Sequence, residues 1–163
     1  MIPSRVVATT VLMLASVALA PMAGHASGTT VARPLAGHWK FEKAFSQGMK
    51  SGSFTVTKSR RAITHFTVKP MSSGTSCSKG TITVKGPLAL HKTAFQESEA
   101  AYWSVAKRDG GSVKVTARQD HKTVKGTLQL GISPRNGTTH PVKYVDGVLM
   151  LPNCTLILGG SHG

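Results

Sequence analysis

Beyond residue 36 the chain alternates between apolar and polar positions with a period of two, and no stretch keeps a helical period for ten residues. Gly37–Glu42 alternates polar and aromatic residues. Ser53–Thr57, Ala62–Val68 and Thr81–Val84 continue the pattern, with Pro70, Gly80 and Gly86 as stops. Leu88–Leu90, behind Pro87, reads as an edge strand, and Phe95–Ala101 is the one place suited to a helical turn. Ala101–Val105 resumes the alternation. The Asp109-Gly110-Gly111 turn leads into Ser112–Ala117, and Gly126–Leu130 follows. A polar loop, Ser133–His140, precedes Val142–Val145. Asp146-Gly147 then reads as a turn into Val148–Leu151, and Cys154–Leu158 closes the series.

Eight to ten short strands at this spacing predict an all-β domain, read first as an antiparallel β-sandwich and second as a small closed β-barrel. The expected core is Phe54, Val56, Phe66, Val68, Ile82, Val84, Trp103, Val105, Val113, Val115, Leu128 and Leu130. Thr, Ser and Lys between them fit a face in water. Val148–Leu151 and Leu156–Leu158 are apolar on both faces, which predicts a central strand or one whose outer face is covered. The domain is expected over 37–158, after a flexible segment at 27–36 and before a disordered tail at 159–163.

The start of the chain reads as an export signal. Arg5 precedes an apolar run, Val6–Ala20, of signal length and too short for a bilayer. Gly24 and Ala26 suit the positions before a cut that releases Ser27. Residues 1–26 hold one basic residue and no acid. Of 20 Lys and Arg against 6 Asp and Glu, the remaining 137 residues keep 19 against 6, a net charge of +13. That length suits one domain with a real core. In a secreted chain the two cysteines, Cys77 and Cys154, are expected to pair, the alternative being two buried thiols. Closing that loop contributes at most about 4.5 kcal/mol.

Two resemblances bear on the fold. The order Gly52-x-Phe54-x-Val56, Ile63-x-x-Phe66, Cys77, Gly126-Thr127-Leu128 and Cys154 resembles a type of small exported bacterial β-sandwich domain with one long-range disulfide and no assigned activity. It covers residues 50–158 and implies a fold, not a reaction. Gly37-His38-Trp39 resembles the Gly-x-Trp that opens lipocalin- and avidin-type barrels. That likeness implies a closed barrel with Trp39 at one end or beside a pocket for a small apolar ligand.

Catalysis finds little support. Glu97 and Glu99 fall in the irregular middle, while Asp109, Asp120 and Asp146 are explained by turns. Both cysteines are claimed by the expected disulfide, and His65, His91, His121 and His140 show no metal-ligand spacing. The expectation is a non-enzymatic domain with no catalytic residues, metal or cofactor, a secreted hydrolase being the third reading.

Positive charge is the strongest signal. Lys58, Arg60 and Arg61 form one group, Lys107 and Arg108 a second, and Lys114, Arg118, Lys122 and Lys125 a third. On a strand Lys114 and Arg118 share a face, and a hairpin brings Lys122 or Lys125 beside them. Such surfaces attract anionic cell-envelope polymers or acidic polysaccharide. Few aromatics are free to stack, which argues against nucleic acid. Tyr102, opposite in face to Trp103, is the one aromatic expected as a surface contact.

Overall fold

The computed structural model describes residues 33–71, 77, 80–94, 101–108, 110–133 and 143–163. The export signal, the helical turn expected before Ala101 and nearly all of the Ser133–His140 loop lie outside these residues. The described residues form eleven strands: β1 (Gly37–Phe41), β2 (Met49–Val56), β3 (Ala62–Pro70), β4 (Ile82–Val84), β5 (Leu88–Ala89), β6 (His91–Ala94), β7 (Ala101–Ser104), β8 (Val113–Gln119), β9 (Lys122–Ser133), β10 (Tyr144–Leu151) and β11 (Cys154–His162). A 3-10 turn covers Lys43–Phe45. Among the described residues, no helix is long and apolar enough to cross a membrane.

All pairings are antiparallel. The order β1-β2-β3-β4-β8-β9-β10-β11 returns to β1, so eight strands close on themselves. The all-β expectation holds, and of its two architectures the structure has the barrel. Closure comes from β11, which pairs with β10 on one side and with β1 on the other. The last segments, apolar on both faces, each have a strand on either side, as every barrel strand does, but their outer face is not covered: Met150 and Ile157 stand exposed on it. Residues 159–162, expected in a disordered tail, instead end this strand, because Trp39, Lys40 and Phe41 pair with His162, Ser161 and Gly160. The segment at 33–36 is likewise not all loose. Pro34 is buried, and the Leu35 carbonyl accepts the Trp39 indole N–H at 3.0 Å.

Alternate side chains of every barrel strand fill the lumen, as expected where eight strands leave room for side chains and little else. Trp39, Phe54 and Ile63 are fully buried, and Phe41 and Phe66 nearly so. Trp39 stacks on Phe54 with ring centroids 5.7 Å apart, and Phe54 stacks on Phe66 at 6.1 Å. Every expected core residue is buried except Trp103 and Val113, which pack against the core while partly exposed.

Strict alternation would put Ile63 and Phe66 on opposite faces. A bulge prevents this. Between the pairs Ser53↔Thr67 and Thr55↔Thr64, β3 carries one more residue than β2. His65 lies there with φ 51°, and the extra residue turns both Ile63 and Phe66 inward. The β8–β9 hairpin turns through Asp120 and His121, both at positive φ, as a two-residue primed turn requires. Cys77 and Cys154 form the expected disulfide, with Cα atoms 4.5 Å apart.

Asp146-Gly147 is not a turn. β10 runs straight through it, and the chain reverses only at Pro152-Asn153. Gly147 is required by close approach: a Cβ there would stand 2.3 Å from the Gln129 carbonyl oxygen. A residue pair that usually marks a hairpin therefore sits mid-strand, with Asp146 on the outer face.

Candidate functional site

Outside the barrel, registered pairs line up into rows. The first row runs Lys40–Ser53–Thr67–Thr83–Arg118–Thr123, one residue from each of β1, β2, β3, β4, β8 and β9. Five interstrand steps of about 4.8 Å give it a length of roughly 24 Å. Hydroxyls form its middle, with Ser53 and Thr67 oxygens 3.4 Å apart, and cations flank them. None of these six strands contains Asp or Glu.

Of the cations expected to cooperate, the register unites three. Lys114, Thr116 and Arg118 share the outer face of β8, and Lys125 pairs with Thr116, diagonal to both cations. Lys122 is exposed at the far end of the hairpin, opposite Gln119. Lys58, Arg60 and Arg61 occupy the β2–β3 turn, where the Arg61 carbonyl accepts the Leu90 N–H. Lys107 and Arg108 are exposed in bends after β7. The structure thus distributes the three groups rather than merging them.

Lys40 and Lys69 were missed as site residues. Both line a shallow cleft of about 380 Å³ over β1–β3, with His38, Ser51, Ser53 and Thr67. Neither belongs to a basic cluster in sequence; only the pairing of β1 with β2 and β2 with β3 gathers them.

The second row crosses the opposite wall: Ser104–Gly131–Asp146–Gly159, from β7, β9, β10 and β11. β10 and β11 contain no Lys or Arg. Asp146 stands on the outer face between two glycines. Gly159 is held by the 3-10 turn, since the Ser46 hydroxyl donates to its carbonyl at 2.9 Å and accepts its N–H at 3.0 Å. Cavities of about 460 and 440 Å³ flank the carboxylate, and Gln129, Ser133 and Asp146 line both. Asp146 is exposed as a residue, yet loss of water around its carboxyl raises its pKa above the ordinary carboxylate value. A backbone hydrogen bond of its own opposes that shift.

Two aromatic expectations need adjusting. Tyr102, expected as a surface contact, is buried, and its hydroxyl accepts the Gly110 N–H at 3.3 Å. β7 is not a barrel strand; with β6 it forms a flap attached to β9, so its faces do not divide into lumen and solvent. Trp39 does point into the barrel, beside the entering Leu35 segment, with the His162 ring edge-on at 5.3 Å.

No family model matches this chain, and comparison with curated proteins and with solved structures finds no match. Neither resemblance in sequence thus brings a relative with it. The class defined by the structure is a small all-β domain, closed as a barrel, with one disulfide.

Proposed function

We propose that this domain acts by binding, not catalysis, and that it holds anionic polymers of the cell envelope or acidic polysaccharide against its acid-free wall. The observation that carries the reading is the row from Lys40 to Thr123. Hydroxyls and ammonium or guanidinium groups, with no carboxylate among them, form a surface that donates hydrogen bonds to sulfate, phosphate or carboxylate oxygens. Its length matches several repeats of a polymer better than one small anion. Export belongs to the same proposal: the Cys77–Cys154 bridge suits an oxidising compartment, and the first 26 residues have the pattern of a signal. The lumen reading loses ground, since Trp39 and its stacked partner Phe54 occupy the space behind the Gly37-His38-Trp39 motif.

Retention on heparin and on cell-wall material across a salt gradient tests this. Binding governed by counterion release falls steeply between about 50 and 200 mM salt. The triple variant Lys40→Ser, Arg118→Ser, Lys125→Ser is expected to elute much earlier than the parent. A variant changed at Lys58, Arg60 and Arg61, outside the row, is expected to lose less. Equal elution of the parent and the row variant would sink the proposal.

A further inference from the structure

The wall around Asp146 offers a different chemistry. We infer that the groove over β9–β11 is a binding site for an organic cation with an apolar body, its ammonium or guanidinium group seated on the Asp146 carboxylate. The site is distinct from the acid-free wall, and the inference does not rest on polymer binding there.

Four observations converge. Asp146 is flanked across the sheet by Gly131 and Gly159, so its row gives the carboxylate no side-chain partner, and the Tyr102 ring over Gly131 and Phe45 over Gly159 wall it in on either side. Cavities open on both sides of it and share Gln129 and Ser133 as lining. Three of the four large exposed apolar side chains among the described residues line the first cavity: Phe45 at 54%, Tyr144 at 39% and Ile157 at 39% exposure. Finally, β10 and β11 supply no cation to neutralise the acid.

Charge complementarity chooses the occupant. A partly dehydrated carboxylate favours a partner that brings its own positive charge and donors. The apolar flank of Val148 and Ile157 favours a partner with carbon attached, and Phe45 and Tyr144 add aromatic surface to that flank. A bare metal ion fits poorly, because one carboxylate falls short of the six or more oxygens that calcium takes. An anion meets the wrong sign.

Octylammonium, with octanol and octanoate as matched neutral and anionic probes, tests the site by amide chemical shifts of the purified, disulfide-intact protein. Octylammonium is expected to move the Gly131, Gly147 and Gly159 resonances to saturation, with octanol at least about tenfold weaker and octanoate inactive. Asp146→Asn is expected to weaken octylammonium by about tenfold or more. Gly131→Ala gives a second check that keeps the fold. Its Cβ would stand 3.4 Å from the Tyr102 ring and 3.6 Å from the Asp146 Oδ1, ordinary contact distances that nonetheless fill the space beside the carboxylate. Octanol binding as well as octylammonium, or full affinity in Asp146→Asn, would overturn the inference, as would silence from all three probes. Heparin retention in the same variants separates the two surfaces, since neither substitution touches the acid-free row.

Discussion

One barrel carries two unlike walls. From β1 round to β9 the outer face is hydroxyl and cation with no acid; across β10 and β11 it is apolar, lacks Lys and Arg, and carries one acid. Both walls share a lumen, so the difference is not one of folding need. The acid-free wall tolerates change because its side chains reach into water. The other wall is tied to its neighbours by glycines: Gly159 and Gly160 let the 3-10 turn and β1 lie directly against β11.

The sharpest way to break this comparison is at Gly160. A Cβ there would stand 2.0 Å from the Lys40 carbonyl oxygen, which is backbone and cannot swing aside. Gly160→Val is expected to cost about 3 kcal/mol or more in urea unfolding, because β1 and β11 must separate. Next in size is the disulfide, which links Cys77, in the connection after β3, to Cys154 at the start of β11 and so ties one wall to the other. Replacing both cysteines by Ala is expected to cost about 2–4 kcal/mol by the same measurement, through the freedom restored to the unfolded chain.

On the acid-free wall, Lys114→Ser with Lys125→Ser is expected to change stability by no more than about 0.5 kcal/mol, while removing much of the salt dependence of heparin retention. A large stability loss there would erase the contrast between the walls.

The smallest effect is that of Asp146. Its folded pKa is raised, so the folded state binds more protons than the unfolded state in the window that starts near the ordinary value of 3.8 and ends at the raised one. Stability on this account falls as pH rises through that window and stays lower above it. Asp146→Asn is expected to remove that slope in acid melts and to gain less than about 0.5 kcal/mol at neutral pH, the carboxylate being solvent-screened.

Much of the fold was legible in alternation alone. Pairs such as Val113/Val115 and Leu128/Leu130 announce strands because burying one face demands a period of two. Ile63 and Phe66 break that period, and only the bulge at His65 explains why both face inward. Barrel closure was less legible, since it depends on Phe41 meeting Gly160 across nearly the whole chain, a contact that no local pattern encodes. The row from Lys40 to Thr123 was half visible: Lys114, Arg118 and Lys125 belong to one hairpin, whereas Lys40 joins it through four further pairings and Lys69 through two. Asp146 was misread for a physical reason. Asp-Gly is a good turn former, but here the glycine answers to the Gln129 carbonyl packed against it, and the acid is left mid-strand on the outer face between two cavities.

The pairing of Trp39 and Lys40 with His162 and Ser161 has a consequence for how the domain comes into being. A barrel whose seam joins β1 to β11 stays an open sheet, with two raw edges, until β11 has been made and has found β1. Such distant pairing is slow to form, and unpaired edges invite other chains. Synthesis that stalls before Cys154 leaves the β1 edge without its β11 partner and Cys77 without its disulfide partner.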